Sequence, residues 1–231
     1  LAKQKSVDVN ATQTIYNFTC GKVDLKLTFT SPLLMDDLGL LARPVSYITY
    51  QVKSNDKKNH QVKVFLSASS DIAVYRPSQE VTASKYSTAK LSILKTGTVE
   101  QPILQKAADD MRIDWGYFYV AAPKSSNVIQ FITAHKDASN SFRKGIVTTT
   151  ANRGKSLALN TIIPFGTVGS SPVEKYVQLA YDERFAIQYF KQNLRPWWNT
   201  SGKETIEGQL TNASNEYKAV IAKCEAIDKS V

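Results

Sequence analysis

The chain alternates apolar and polar residues over its first 173 positions and changes to a helical spacing after them. The alternation is clearest at residues 23–29, where every second side chain from Val23 to Phe29 is apolar. A period of two is typical of a half-buried antiparallel strand. We expect this strand to pair with residues 12–19 across a turn at Cys20-Gly21.

Further strand-like segments follow at short spacing, with no helical pattern between them. They predict strands at 45–53, 61–67, 72–75, 80–86, 90–95, 113–122, 128–134, 157–165 and 173–181. We expect a hairpin of 45–53 with 61–67 and another of 113–122 with 128–134, with loops at 96–111 and 139–155. This pattern predicts a mainly β fold, a large antiparallel β-sandwich of the supersandwich type over residues 1–173.

Residues 174–231 are predicted to hold the last strand and a C-terminal helical segment. We expect a short helix at 184–193 and a long amphipathic helix at about 203–229. Along the long helix an apolar residue recurs every three or four positions, at Ile206, Leu210, Ala213, Tyr217, Val220, Cys224 and Ile227. Such a stripe must be covered, either by the β-part or by something outside this polypeptide. Because the chain stops as the stripe is completed, we expect an excised piece of a larger protein that continues with more helices.

Composition narrows the function classes. With 42% hydrophobic and 21% charged residues the chain resembles an ordinary globular domain, and no apolar run approaches the ~20 residues of a membrane span. The net charge is +9, and residues 174–231 hold eight basic and eight acidic side chains, so the excess lies on the β-part. The lysines there are scattered singly, which is typical of solvated strand faces and not of a nucleic-acid groove. We favour free thiols over a disulfide for Cys20 and Cys224.

Adjacent acidic residues are the first candidates for chemistry. They occur as Asp36-Asp37, Asp109-Asp110 and Asp182-Glu183. Acid–base catalysis on a glycosidic bond needs two carboxylates that face each other ~5–10 Å apart, whereas neighbours in an extended chain point to opposite sides. We therefore favour solvated loops or calcium ligation over catalysis for these pairs.

Asp114 differs, because the strand predicted around it is apolar on both faces. A carboxylate in a dry environment needs a cationic or hydrogen-bonding partner. We expect Arg112 or Arg43 to supply it in a structural ion pair, and a functional acid is the alternative.

The remaining polar and aromatic residues give no self-contained active site. Two histidines, His60 and His135, stand alone without zinc-ligand spacing. The sequence contains no nucleophile elbow, phosphate loop or dinucleotide fingerprint, so no cofactor, metal or catalytic residue is assigned. Trp115, Trp197 and Trp198 could stack on sugars, although packing at a domain junction is favoured.

Six segments taken together resemble the opening β-domain of bacterial and fungal glutaminase A-type proteins. They are 28–34 (TFTSPLL), 43–47 (RPVSY), 112–117 (RIDWGY), 180–183 (AYDE), 187–190 (IQYF) and 194–198 (LRPWW). In that family a β-sandwich precedes a large α/α-toroid domain similar in architecture to six-hairpin glycosidases. The whole protein, usually secreted or periplasmic, is assigned hydrolysis of L-glutamine to glutamate and ammonia.

The resemblance implies that this chain is an accessory, non-catalytic sandwich whose partner is its own helical domain, and that it is inactive alone. It carries no catalytic residue over to this segment. Our best segments for junction or cleft contacts are 31–42 and 112–115. The candidate residues are Asp36, Asp37, Arg43, Arg112, Asp114, Trp115, Trp197 and Trp198, of which the last two lie in the link between the predicted helices. The alternative is a carbohydrate-binding sandwich of a glycoside hydrolase-like protein, which exposed coplanar aromatic rings on one sheet face would support.

Overall fold

A computed structural model describes residues 2–106 and 112–231. Within them the chain forms these strands and helices in order: β1 Lys3–Val9, β2 Gln13–Cys20, β3 Val23–Thr30, α1 Leu38–Leu41, β4 Val45–Ser54, β5 His60–Ser69, β6 Val81–Ser87, β7 Leu91–Thr98, β8 Tyr117–Pro123, β9 Ile129–Ala134, α2 Ala138–Lys144, β10 Arg153–Gly154, β11 Leu157–Val168, β12 Val173–Asp182, β13 Ile187–Tyr189, β14 Gln192–Leu194, α3 Ile206–Asn215 and α4 Tyr217–Asp228. No described helix is long and apolar enough to cross a membrane.

Two antiparallel sheets form the body of the fold, which confirms the predicted class. The larger has nine strands in the order β1-β2-β3-β4-β12-β8-β7-β6-β10, and the smaller has three in the order β5-β11-β9. Apolar side chains from both sheets meet between the layers, among them Ile48, Val120, Leu159 and Ile163. The smaller sheet covers only part of one face of the larger one.

The predicted pairing of β2 with β3 is confirmed, with Cys20 opposite Val23. The two other predicted hairpins are wrong. β4 pairs with β3 and β12, whereas β5 pairs with β11 in the other sheet. β8 likewise pairs with β7 and β12, while β9 pairs with β11. The loops after β4 and β8 therefore cross between the sheets, which alternation alone does not reveal.

The terminal helices cover the face of the large sheet that lies opposite the small sheet. They are separated by Glu216 alone, and Thr205 caps the first one by accepting a hydrogen bond from the Gly208 amide at 3.1 Å. The stripe residues from Ile206 to Cys224 are all buried in one cluster with sheet residues such as Tyr47 and Tyr119. The expectation that the stripe needs a cover outside this polypeptide is therefore wrong.

Polar contacts fix the helices on that face. Tyr47 donates from its hydroxyl to the Ala213 carbonyl at 3.0 Å, and Gln178 donates to the Leu210 carbonyl at 3.0 Å. The rings of Tyr176 and Tyr217 stack with centroids 3.8 Å apart. Because the donors come from β4 and β12 at the centre of the large sheet, the helices are fixed to the middle of that sheet. The apolar cluster beneath them is separate from the two clusters that lie between the sheets.

Two smaller predictions also fail. Residues 187–194 form the hairpin β13–β14 instead of a helix, and the turn places Phe190 and Lys191 at positive φ, a conformation no helix can contain. The predicted strand at 72–75 is replaced by a 3₁₀ turn at Ser70–Ala73, in which the Ser69 hydroxyl accepts from the Asp71 amide. Short-range hydrogen bonding of this kind competes with strand formation.

Candidate functional site

A cleft of about 500 Å³ opens where the terminal helices meet residues 37–43 and the 197–198 dipeptide. We call it the junction cleft. It brings together four of the eight candidates from the sequence, Asp37, Arg43, Trp197 and Trp198. Asp37 and Arg43 lie more than 150 positions from the two tryptophans along the chain, and the docking of the helices on the large sheet makes them neighbours.

Two ion pairs connect the walls of the junction cleft. Arg43 Nη1 lies 2.8 Å from Glu216 Oε2, and Lys223 Nζ lies 3.0 Å from Asp37 Oδ2. Asp37 also begins α1, because its Oδ1 accepts the Leu40 amide at 3.1 Å. The hydrogen bond from Lys223, followed by that from the Leu40 amide, lowers the pKa of Asp37, and the same ion pair raises the pKa of Lys223. Both pairs join the segment after β3 to α4 or to the residue before it.

The two tryptophans differ in exposure. Trp197 is 66% exposed, whereas Trp198 is half-buried against the helix cluster. The indole Nε1 of Trp198 and the Nε of Arg43 are buried, and neither has a hydrogen-bond acceptor within residues 2–106 and 112–231. A buried donor without an acceptor costs ~1–3 kcal/mol, so these two donors are a local cost of the packing beside the cleft.

The helical wall of the cleft follows a second stripe on α3 and α4. Gln209, Asn212, Glu216, Ala219 and Lys223 all line the cleft. Each precedes a buried apolar residue by one position, so the two stripes share the same helical period and lie side by side. Sequence reasoning missed this stripe because it followed only the apolar positions. The sequence does contain the second stripe, because each of its positions directly precedes an apolar position of the buried stripe.

Asp114 and Trp115 lie elsewhere, in a separate buried cluster just before β8. Asp114 is 1% exposed, and its Oδ2 accepts from Gln79 Nε2 at 2.8 Å and Lys106 Nζ at 3.1 Å. The expected partners are therefore wrong: Arg112 is exposed, and Arg43 is bound to Glu216. The need for a partner was predictable from burial, but its identity was not, because Lys106 lies in a stretch expected to be a loop.

Trp115 has a packing role, which is the interpretation that the sequence favours over a sugar-stacking role. Its indole Nε1 donates to the Phe185 carbonyl at 3.0 Å, and its own carbonyl accepts from the Tyr181 hydroxyl at 2.8 Å. Next to it, Gly116 adopts φ +76°, and a Cβ there would overlap the carbonyl oxygen of Asp182. The segment thus holds the end of β12 against the start of β8 and leaves no ligand platform at this tryptophan.

Among the described acidic residues that are adjacent in sequence, only Asp37 lines the junction cleft. Asp36 is exposed and does not line the junction cleft. Glu183 is partly buried, which raises its pKa, and Asp109-Asp110 falls outside the described residues. Within residues 2–106 and 112–231, no group of three or more His, Cys, Asp or Glu side chains could hold a metal ion. The thiols of Cys20 and Cys224 are both free, as expected.

Exposed apolar side chains lie on two short segments that are next to cleft residues along the sequence, and we call these side chains the junction surface. One segment follows β3 and contributes to the cleft through Leu40, and the other is the β13–β14 hairpin, which leads directly into Trp197. The residues of the junction surface are Leu33, Met35, Leu38, Leu41, Ile187, Tyr189, Phe190 and Leu194. Met35 and Phe190 are the most exposed, at 86% and 84%.

The fold and the cleft define an antiparallel β-sandwich domain with a helical layer packed on its larger sheet. The chain belongs to the family described as a domain of unknown function, DUF5127, whose model matches residues 12–231. No protein with a curated description matches the sequence.

Several solved structures are similar over most of this chain at very low identity. One is a protein from Escherichia coli K12 provisionally described as an aldose 1-epimerase, with 7% identity, a TM-score of 0.40 and coverage of 78% of this chain and 68% of that one. Another is a galactose mutarotase related enzyme from Lactobacillus acidophilus, with 6% identity, a TM-score of 0.34 and coverage of 76% of this chain and 70% of that one. The heparan sulfate lyase HepC from Pedobacter heparinus has 8% identity and a TM-score of 0.29, and the match covers 78% of this chain and 21% of the lyase.

Proposed function

We propose that this chain is the accessory, non-catalytic β-sandwich of a glutaminase-like hydrolase and that it supports a helical α/α-toroid domain. In this proposal the whole protein, secreted or periplasmic, converts L-glutamine to L-glutamate and ammonia, with the chemistry on the helical domain. The resemblance of the six segments supports the activity class. The junction surface supports the docking role and is the observation that carries it.

Single exposed apolar residues are ordinary on a protein surface, but groups of them mark interaction sites. The junction surface concentrates eight such residues in two short segments, and each segment contains or directly precedes residues that line the cleft. A helical domain that presents an apolar face would cover them. The ion pairs beside this surface would form a polar rim around the contact, as interfaces commonly have.

The tip of the β13–β14 hairpin gives this proposal a specific anchor. Phe190 and Lys191 have φ of 44° and 64°, in the left-handed region that costs a residue with a side chain roughly 1–2 kcal/mol. Asparagine and glycine are the residues favoured in such turns. A large aromatic ring held at an unfavourable φ and 84% exposed is explained if the ring inserts into a partner surface.

The test compares glutaminase activity of this 231-residue chain with that of the polypeptide in which the helical domain follows it. We expect activity only in the longer protein. Phe190→Asp should lower the thermal stability and activity of the longer protein, whereas Val9→Asp, at a 76% exposed apolar position on β1, should change neither. Activity in the 231-residue chain alone would refute the non-catalytic role, and equal behaviour of the two variants would refute the docking surface.

A further inference from the structure

We propose that the junction cleft is a binding site for a neutral, polyhydroxylated ligand of the saccharide class. This inference is independent of the glutaminase assignment, because it concerns the cleft within this chain and not the docking of another domain. It rests on the volume of the cleft, the pairing of its charges, and the kinds of side chain that remain available to a ligand.

The volume and the lining suit a small polar molecule. The cleft measures about 500 Å³, inside the range of ~300–1,000 Å³ that is usual for small-molecule sites. Its wall combines one exposed indole with the amides of Gln209 and Asn212, and Asn212 is exposed. Planar amides present a donor and an acceptor together, which matches the hydroxyl groups of a sugar.

The charges of the cleft favour a neutral ligand over an ionic one. Arg43 is paired with Glu216 and Lys223 with Asp37, so the cleft holds two cations and two anions that already neutralise each other. An ionic ligand would have to displace one partner of a pair before it could bind. A hydroxyl group can instead donate to the unused lone pairs of the carboxylates and accept from the unused guanidinium hydrogens while both ion pairs persist.

Trp197 supplies the apolar contact that saccharide binding also requires. One face of a pyranose ring carries mainly C–H bonds, and an aromatic ring can cover that face while the hydroxyl groups at the edge reach polar side chains. Trp197 is 66% exposed where it lines the cleft, so its ring is available without rearrangement of the core.

The experiment is a titration of the 231-residue chain, followed by tryptophan fluorescence and by the side-chain amide signals of NMR spectra. The probes are D-glucose, D-galactose, D-mannose, N-acetylglucosamine, and the disaccharides cellobiose and lactose. L-glutamine serves as a zwitterionic probe and glucuronate as an anionic one. The oligosaccharides separate recognition of a free monosaccharide from recognition of a glycan chain end.

We expect at least one neutral sugar to bind saturably. Trp197→Ala should weaken that binding at least tenfold, and Asn212→Ala should weaken it several-fold. The matched control is Tyr189→Ala, which removes an aromatic ring of similar exposure outside the cleft and should leave the affinity unchanged. Since all three positions are exposed, each variant should keep the melting temperature of the parent chain.

Four results would overturn the proposal: no neutral sugar binds, binding persists unchanged in both cleft variants, Tyr189→Ala weakens binding as much as Trp197→Ala does, or only glutamine or glucuronate binds. If Trp197→Ala fails to fold, Asn212→Ala and the NMR shifts of the Gln209 and Asn212 amides in the parent chain decide the question.

Discussion

Replacement of Leu210 by alanine tests whether the terminal helices belong to the same cooperative core as the sandwich. Leu210 is fully buried in the cluster that joins α3 to the large sheet. Its backbone carbonyl accepts from Gln178, and alanine preserves that bond. The substitution therefore removes apolar contact from the helix–sheet interface and leaves the local hydrogen bonding intact.

The expected magnitude follows from burial. Truncation of a fully buried leucine to alanine costs ~2.7–5 kcal/mol, since both the transfer free energy and the contacts around the new cavity are lost. A domain has ~5–15 kcal/mol of total stability, so this is a large fraction of it. At ~2–4 °C per kcal/mol for a chain of this size, we expect the melting temperature to fall by about 5–20 °C.

The assay is thermal unfolding followed by circular dichroism at a helix-sensitive and a strand-sensitive wavelength, together with the near-ultraviolet tyrosine signal. Leu33→Ala is the matched control, because Leu33 is 56% exposed and its truncation should change stability by no more than ~0.5 kcal/mol. We expect all three signals of Leu210→Ala to move together. The reasoning fails if Leu210→Ala melts like Leu33→Ala, or if the helical signal is lost before the strand signal.

Three further substitutions test other parts of the structure. Gly116→Ala should destabilise the fold more than Gly21→Ala does in chemical denaturation. Both glycines have positive φ, but only at Gly116 would a Cβ meet neighbouring backbone atoms. Gly21→Ala should cost ~1–2 kcal/mol, because alanine is strained at positive φ. Lys106→Met should lower the free energy of unfolding by ~1–3 kcal/mol, because it leaves the buried Asp114 carboxylate without its cation. Adding Asp114→Asn should recover part of that loss. If the effects of the two substitutions on stability simply add, the pairing is contradicted. The hydrogen bond with the His60 ring lowers the pKa of Asp56 to about 2, so ionised Asp56 stabilises the fold above its unfolded-state pKa of about 3.9, and this stabilisation is lost as the pH falls through 2. Asp56→Asn should therefore narrow the difference in unfolding free energy between pH 6 and pH 2. An unchanged difference would exclude this contribution.

Local patterns predicted most strands but not which sheet each one joins. The pairing of β2 with β3 was predictable because the turn between them is short and contains Gly21 at positive φ. The crossings after β4 and β8 were not, since a strand that leaves one sheet for the other keeps the same alternation. The hairpin at 187–194 failed for a different reason: its turn residues, Phe190 and Lys191, have none of the composition expected at positive φ.

The sequence contains enough information to predict that the large sheet covers the helical stripe. The strand predicted at 113–122 is apolar on both faces, and β8 is buried on both faces in the structure. A strand of that kind requires a layer on each side of its sheet. The stripe on the terminal helices was the available second layer, so the two observations together could have predicted their contact within this chain.

Half of the candidate site residues converge on the junction cleft, and the reason lies in the geometry of the terminal helices. An amphipathic helix that buries one stripe on a sheet must present the adjoining stripe at the edge of the contact, because neighbouring positions differ by ~100° around the helix axis. Here the buried stripe ends in Cys224 and the adjoining one ends in Lys223, which reaches Asp37. The contacts that close the core therefore also set the spacing between the helical wall and Trp197. Any function of the cleft consequently depends on the buried stripe, even though no residue of that stripe except Val220 lines it.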